Sequence, residues 1–309
     1  MRRGPLNNPL ISVVVTTYKR GVNEIQKAIY SVLNQTYTNL ELTIVDDSPE
    51  SYIHRNEVKA FCESIPDKRV KYIQHKKNSG ACVARNTGLA HSKGELISFL
   101  DDDDEYLPFR MEKMIGYFSD ENVVLVYANA AMYNNGKYRN KNYSDYMKPR
   151  TGQVYDEIMK EDFIGSTSMA MLRTDILRKA GGFNPEMEAS QDWETWIRVS
   201  QYGEVAYCPE VVFNYYDYDG DGPEARISND TDRRIRALRH LNDMHADYLA
   251  EHKEALAVRK AYELRLHIKN GNIKCAVACY QAVVSARPTA FLRNFILLKA
   301  FGRIWIKQK

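Results

Sequence analysis

Apolar positions in the first 105 residues alternate between two periods. The run "ISVVVTTY" (11–18) is short, apolar and β-branched, the pattern of a strand covered on both faces. In "NEIQKAIYSVLNQT" the residues Ile25, Ala28, Ile29, Val32 and Leu33 recur at i, i+3, i+4, i+7 and i+8, one face of an amphipathic helix. "LELTIVDD" predicts the next strand, with a polar helix through 50–64. "RVKYIQH" predicts a third strand, followed by a helix over "ACVARNTGLAHS", and "ELISFL" a fourth. Strand and helix alternating at this pitch predict an α/β fold on a doubly wound, mainly parallel sheet.

Residues 123–217 have a different texture. "VVLVYANAAMY" predicts a strand, and the Asn-Gly of "NNGKY" (134–138) signals a hairpin. "STSMAMLR" predicts another strand, then a short helix runs to Gly181-Gly182. "SQDWETWIRVSQYG" has helical spacing, and "EVAYCPEVVFNYY" closes the sheet region. The loop "DYDGDGPEARISND" (217–230) is rich in Gly, Asp and Pro, a composition expected to be mobile. From 231 onward the pattern is helical, with a break at "NGN" (270–272). The chain thus divides into residues 1–230 and a helical extension, 231–309.

Polar residues gather where the predicted strands end: Thr16, Thr17 and Tyr18 after the first, Asp46 and Asp47 after the second, Asp101 to Asp104 after the fourth. Any one of these is explained by a polar turn. Three on one edge favour a site, because an open parallel sheet binds ligands outside the carboxyl ends of its strands. The four aspartates need a reason to be together. Two carboxylates about 6 Å apart repel by roughly 3 kcal/mol at an effective dielectric near 20. A solvated acidic turn would spread that repulsion. An extended chain instead sends Asp101 and Asp103 to one side and Asp102 to the other. Two carboxylates on one side of a cleft make a hard-cation site for Mg²⁺ or Mn²⁺ that leaves positions open for phosphate oxygens.

Composition narrows the class. A chain of 309 residues, 44% hydrophobic and 27% charged, builds one large domain or two modest ones. A net charge of +3 is too small to make nucleic acid a partner of the whole molecule. The five cysteines, Cys62, Cys82, Cys208, Cys275 and Cys279, form no Cys-x-x-Cys and no Cys/His ligand spacing, so they read as reduced thiols in a cytosolic protein. No run of 18 apolar residues exists, and "MRRGPLNNPL" lacks the apolar core of a secretory signal. A nicotinamide-binding Rossmann enzyme would need Gly-x-Gly-x-x-Gly after the first strand, where "TTYKRGVNE" has one glycine.

Four segments carry a resemblance to a known family: "ISVVVTTYKR", "QTYTNLELTIVDDSPES", "NSGACVARNTGLAHSKGELISFLDDDDEYLP" and "SQDWETWIR". In this order and spacing, over nearly all of residues 10–202, the chain resembles the inverting glycosyltransferases of family 2. The resemblance implies the nucleotide-sugar fold called GT-A, a mainly parallel sheet with a small antiparallel part. It further implies a nucleotide half over about 10–105 and an acceptor half over about 106–230. Thr16 to Tyr18 match the turn that cups the base, with Tyr18 against its face. Asp46 and Asp47 match the second-strand acids, Asp47 reading the imide N–H of uracil; thymine keeps the same edge, so a dTDP-sugar donor stays open. Arg85 is implied to lie near the base and to stabilise the second-strand acid. Asp102 matches the ribose ligand, and Asp103 with Asp101 the ligands of Mn²⁺ or Mg²⁺, Asp104 standing outside the set.

The implied catalytic base is Asp192, preceded by Gln191 where the family usually has Glu. Trp193 is implied on the acceptor side, and Trp196 is equally a core residue. Family members often close the site with a loop carrying His and Ser; "GPEARIS" has no His, leaving Arg226 and Ser228 to touch the diphosphate. The implied reaction is metal-dependent transfer of one hexose or N-acetylhexosamine from a UDP-sugar to a saccharide hydroxyl, forming a β-linkage. A nucleotide-sugar-binding module without transferase activity is the rival, and it could dispense with Asp192. The spans and Gln-x-x-Arg-Trp motif of a processive synthase are absent.

After Glu263 no acidic residue appears. On a helical wheel of 291–307, Arg293, Lys299, Arg303 and Lys307 share one side, and Phe291, Phe295, Leu298, Phe301, Ile304 and Trp305 the other. A basic amphipathic helix suits an anionic membrane surface; a terminal helix docked on the domain is the alternative. With the resemblance, this tail leads us to expect a cytoplasmic protein peripheral to the inner face of the plasma membrane. Its acceptor is expected to be a lipid-diphosphate-linked saccharide of bacterial surface-polysaccharide assembly.

Overall fold

The computed structural model describes residues 7–217 and 230–286. The first βα units are β1 (Ile11–Thr17), α1 (Val22–Leu33), β2 (Leu40–Asp46), α2 (Arg55–Ser64), β3 (Val70–Gln74), α3 (Ala81–His91) and β4 (Leu96–Asp101). They are followed by β5 (Glu105–Tyr106), α4 (Arg110–Ile115), β6 (Val123–Asn134), β7 (Lys137–Asn142) and α5 (Tyr155–Ile158). Then come β8 (Ala170–Arg173), α6 (Thr174–Lys179), α7 (Gln191–Ser200) and β9 (Glu204–Asp217). The last helices are α8 (Thr231–Met244), α9 (Ala246–Glu251), α10 (Lys253–Lys269) and α11 (Ile273–Ala286). Two compact units result. The first gathers the described residues through Tyr155 with Phe163–Glu186 and 191–217; the second gathers Asp156–Asp162, Met187–Ser190 and the described residues from 230 on.

The first unit holds one nine-stranded sheet in the order β3-β2-β1-β4-β8-β6-β9-β5, with β7 paired to β6. β1 pairs in parallel with β2, from Ile11↔Leu40 to Thr17↔Asp46, and with β4, from Ile11↔Leu96 to Thr16↔Asp101. The chain therefore leaves β1 to one side for β2 and β3 and returns to the other side for β4. That reversal makes a crevice at the carboxyl ends of β1 and β4, the place where doubly wound sheets bind ligands. The strands are apolar because both faces are covered: Val13, Val14, Val15, Leu96, Ile97, Phe99 and Leu100 are all buried. α1 buries the face read from its spacing, Ile25, Ala28, Ile29 and Val32. The isoleucine and valine side chains each contribute about 1.5–3 kcal/mol by leaving water, and Ala28 less.

Beyond β4 the sheet is mixed. β8 runs antiparallel to both β4 and β6, while β6 pairs in parallel with β9. The expected hairpin joins β6 to β7 through Asn135 and Gly136, at φ 48° and 74°, the left-handed pair that a type I′ turn requires. One expectation is corrected: of "STSMAMLR" only Ala170–Arg173 is strand, and Thr167–Met169 is a 3₁₀ turn. The cause is a tertiary partner, since Thr167 and Ser168 turn their hydroxyls to Asp101 instead of continuing the ladder.

In the second unit, Asp230 caps α8 by accepting the Arg233 N–H at 2.9 Å. Arg259 is fully buried and donates to the Met159 carbonyl (2.6 Å) and Asn242 Oδ1 (3.1 Å), pinning 156–162 to α8 and α10. The helix break falls at 270–272 as the sequence predicts. No described helix is long and apolar enough to cross a membrane. The basic amphipathic segment 291–307 lies outside the described residues.

Candidate active site

The ends of β1 and β4 are joined side chain to side chain. Thr17 Oγ1 donates to Asp102 Oδ2 at 2.7 Å across the crevice. β4 stops at Asp101 because the chain turns there, the Asp104 N–H donating to the Asp101 carbonyl at 3.1 Å. This turn corrects the expected alternation of the four acids, which would have set Asp101 and Asp103 together. Instead Arg20 reaches Asp102 Oδ1 (3.4 Å) and Asp103 Oδ2 (3.7 Å), while Asp101 faces Arg85 and Thr167. Burial pushes the Asp102 carboxyl up to about 7; Asp103 and Asp101 add to the effect, and Arg20 and Thr17 oppose it. Asp104 is buried, with Oδ1 accepting the Tyr216 N–H (3.1 Å) and Oδ2 lacking a hydrogen bond of ordinary geometry. Burial, then Asp103 and Asp101, push its carboxyl well up.

A cluster short of positive charge, made of hard oxygen donors at a ligand-binding edge, fits a divalent cation of the Mg²⁺ or Mn²⁺ kind. Arg20 supplies one charge to two acids, and it was not singled out from the sequence. Its place was legible in principle, two residues past Tyr18 in the loop that leaves the same strand end.

On the other flank of β1, Asp47 is the organising carboxylate. Its Oδ1 accepts the Ser79 N–H (2.8 Å) and lies 2.7 Å from His75 Nδ1, and its Oδ2 accepts the Gly80 N–H (2.8 Å). Three of about four lone-pair directions are thereby used. The fourth, on Oδ2, is the one a ligand N–H can take. His75 Nε2 is 2.9 Å from Thr87 Oγ1, so the imidazole bridges Asp47 to α3. Asp46 does not join this group. It is buried, accepting from Ser48 N–H (2.8 Å) and the Tyr72 hydroxyl (2.7 Å), and it ties β2 to β3. Thr16 sits between Val45 and Asp101 in the ladder, and the Tyr18 ring is 43% exposed, with the Lys19 ammonium 5.3 Å from its centre.

Arg85 is buried and partnered, as an arginine in a small apolar helix segment must be. Its partner corrects the expectation. Nη2 donates to Asp101 Oδ1 at 2.9 Å and Nη1 to Gln191 Oε1 at 2.8 Å, and no bond runs to Asp46 or Asp47. The reason is position along α3: the backbone just before the helix satisfies Asp47, and Arg85, more than a turn further in, reaches the end of β4. Asn86 beside it holds the Phe183 backbone in both directions, at 2.8 and 2.7 Å. Through these two residues α3 positions the start of α7, where Asp192 lies. Burial raises the Asp192 carboxyl above the usual carboxylate range; the Trp193 N–H and the Arg85 charge oppose this, and Asp101 adds to it.

Trp193, expected on the acceptor side, is only 4% exposed and presents little of its ring to a ligand. α7 is buried almost all round, and both its tryptophans pack inward. Trp196 is core, its Nε1–H donating to the Gly165 carbonyl at 3.0 Å. Arg226 and Ser228 lie outside the described residues.

A switch-point crevice lined by acids, with a further acid at a helix start beyond it, on a sheet that is parallel on one side and mixed on the other, defines a nucleotide-sugar-binding GT-A fold. The glycosyl transferase family 2 model matches residues 12–181, and the chain belongs to that family of glycosyltransferases. It is 32% identical over 202 residues to WcaA of Escherichia coli, a glycosyl transferase assigned to colanic acid biosynthesis, covering 64% of this chain and 69% of that one. It is 28% identical over 194 residues, 63% of this chain and 71% of the other, to an Escherichia coli protein named UDP-Glc:alpha-D-GlcNAc-diphosphoundecaprenol beta-1,3-glucosyltransferase WfgD. Against two rickettsial glycosyltransferases the chain spans 32% of their length. Among solved structures, S. aureus TarS residues 1–349 in complex with UDP-GlcNAc superposes with a TM-score of 0.62 at 19% identity, over 89% of this chain and 79% of that one.

Proposed function

We propose that the chain transfers one hexose or N-acetylhexosamine from a UDP-sugar to a saccharide hydroxyl, with inversion, forming a β-linkage. One observation carries this reading. Asp47, Thr17 with Asp102, and Asp101 bound through Arg85 to Gln191 lie along one sheet edge, in the order base, ribose, diphosphate and acceptor. The free lone pair of Asp47 is suited to the uracil imide N–H, with Tyr18 against the ring and Thr16 beside it. Asp46 supports this pocket from below through Tyr72. Asp102, fixed by Thr17, takes the ribose hydroxyls.

Asp192 is the catalytic base. It receives the proton of the acceptor hydroxyl as that oxygen attacks the anomeric carbon, opposite the departing diphosphate. The bond from sugar to diphosphate breaks as the new glycosidic bond forms, so one displacement inverts the centre. Gln191 keeps the hydrogen bond to Arg85 without adding a second negative charge beside Asp192. Asp103 would hold Mn²⁺ or Mg²⁺, with Asp101, which faces Arg85, acting on it through water; the ion supplies positive charge beside the diphosphate when bound. Arg20, alongside, would follow the diphosphate, and Arg226, outside the described residues, is proposed for the same task from the family resemblance alone.

The relative named for a diphosphoundecaprenol acceptor, and the basic amphipathic pattern of 291–307, support a lipid-diphosphate-linked acceptor and attachment to an inner membrane surface. The domain boundary near 230 then separates the transferase from its membrane-directed extension. The test is a panel of UDP-sugars with a short lipid-diphosphate glycoside. A single added sugar in β-linkage, lost by about 10²–10⁴-fold in Asp192→Asn, is expected. Binding of UDP-sugars with no turnover in the wild type, on any acceptor in the panel, would favour the binding module instead.

A further inference from the structure

The hairpin of α10 and α11 brings together three side chains of metal-binding type, Glu263, His267 and Cys279, with Cys275 one helical turn away, apart from the acids of the sheet. α10 ends with Gly271 at φ 71°, its N–H donating to the Ile268 carbonyl (3.2 Å) and the Asn272 N–H to the His267 carbonyl (2.9 Å). These are the paired bonds of a Schellman end, which stop the helix and turn the chain back. Asn272 then starts α11, its Oδ1 accepting the Cys275 N–H at 3.4 Å.

The turn fixes a register. His267 and Cys275 lie four residues either side of Gly271, and Glu263 and Cys279 lie eight either side. Four residues are about one helical turn, so Glu263 stacks with His267 on α10 and Cys275 with Cys279 on α11. Across the hairpin the pairs stand level. Glu263, His267 and Cys279 offer ligand atoms within 4.8 Å of one another, and all three are buried. Cys275 is partly exposed and lies one turn from Cys279, outside that group; rotation of its side chain would bring the sulfur in as a fourth ligand.

Two further observations bear on what the cluster holds. His267 Nδ1 is buried without a hydrogen-bond partner, while its Nε2 stands 3.0 Å from Arg239 Nη2. Arginine only donates, so Nε2 holds the lone pair; it lies 3.6 Å from Glu263 Oε1 and is the nitrogen an ion would take once Arg239 withdraws. Glu263 accepts from Arg239 (2.7 Å) and Lys260 (2.8 Å), so two cations border the acid. Two thiolates and a carboxylate around one dication leave one net negative charge, and a bordering Lys or Arg offsets it. Arg239 is about half exposed and can withdraw from Glu263 without leaving water.

We propose that Glu263, His267, Cys275 and Cys279 form a structural zinc site that clamps the α10–α11 hairpin. Two sulfurs, one nitrogen and one oxygen on two rigid helices suit the tetrahedral, borderline-soft Zn²⁺ and are poor partners for Mg²⁺ or Mn²⁺. Four protein ligands leave no open position, so the ion serves folding and not the transfer reaction. Cys275-x-x-x-Cys279 on α11 has an ordinary zinc-ligand spacing, but its His and Glu partners lie on the other helix and meet it only through the hairpin.

The test uses the whole chain, purified without chelator. About one zinc per chain is expected by elemental analysis. After stripping and loading with Co²⁺, a near-ultraviolet thiolate-to-cobalt band is expected, which carboxylates at Asp101–Asp103 cannot produce. Cys275→Ser should keep the fold and weaken Co²⁺ binding by at least about tenfold. Cys275→Ser with Cys279→Ser should abolish the band, and Arg239→Gln, which removes the competing cation, should strengthen binding. Cys279 packs with Leu264 and Ala276, so circular dichroism accompanies each variant; if the double variant unfolds, Cys275→Ser alone decides. No zinc and no band at saturating Co²⁺ would overturn the proposal and leave Arg239 as the cluster's internal cation. A band that survives Cys275→Ser at full strength and affinity would place the metal on other cysteines and would equally overturn it.

Discussion

Gly88→Ala should damage ligand binding far more than folding. A Cβ built on Gly88 would lie 2.3 Å from Val14 Cγ1 and 2.8 Å from Cγ2. Carbon pairs rest about 3.5–4.0 Å apart, so α3 must rise from the sheet by roughly 1 Å. Val14 cannot give way, being fully buried on β1 between β2 and β4. Overpacking of this kind costs about 1–3 kcal/mol, and alanine in place of a helical glycine returns about 1 kcal/mol. The net loss of stability is then modest, about 0–2 kcal/mol. The functional loss is not modest, since α3 carries Arg85 to Asp101 and Gln191, its Thr87 meets His75, and the chain entering it supplies Ser79 and Gly80 to Asp47. Misplacement by about 1 Å can cost about 10²-fold, which is the expected loss in UDP affinity by calorimetry. Val14→Ala removes both clashing methyls, so the double variant should recover affinity. In urea unfolding it should be more stable than additivity predicts by about 1–3 kcal/mol. Wild-type UDP affinity in Gly88→Ala, or strict additivity in the double variant, would refute the reasoning.

Other expectations follow from the acids. Burial raises Asp192, and a base works only when ionised, so kcat/KM should fall tenfold per pH unit below a pKa lying above the ordinary value of about 4. A profile flat down to the ordinary carboxylate range would argue against Asp192 as base. Asp104 is pushed well up, so between its unfolded and folded values the folded protein keeps a proton that the unfolded chain has lost. Its contribution to stability is thus present below the unfolded value near 4 and is lost as pH rises toward the folded one, by about a factor of ten per unit in the folding equilibrium. Asp104→Asn removes that loss. In chelator its melting temperature should overtake the wild type's as pH rises from 5 to 8, and an unchanging difference would contradict the assignment.

The strands, helices and their edge were legible because periodicity reports burial, and burial is what a parallel sheet imposes on β1, β2 and β4. The hairpin at Asn135-Gly136 was legible for an equally local reason. Misread were features decided by tertiary partners. Thr167 and Ser168 look like strand and are drawn off by Asp101. The side chains of 101–104 follow a turn closed by one backbone bond, not the alternation of a strand. Arg85 declared itself as a buried charge, but its partner depends on how α3 lies over β4 and α7. His75 follows a strand end at the same edge and could have been found by that rule alone. The α10–α11 cluster needed the register of the hairpin.

The most direct test of the donor site is a calorimetric titration of UDP into the protein, with and without Mn²⁺, beside Asp103→Ala and with GDP as control. The account predicts tight UDP binding only with the metal, loss of that gain in Asp103→Ala, and weak GDP binding throughout. UDP affinity that is indifferent to metal, with Asp103→Ala unchanged, would contradict it and leave the four aspartates without a part in donor binding.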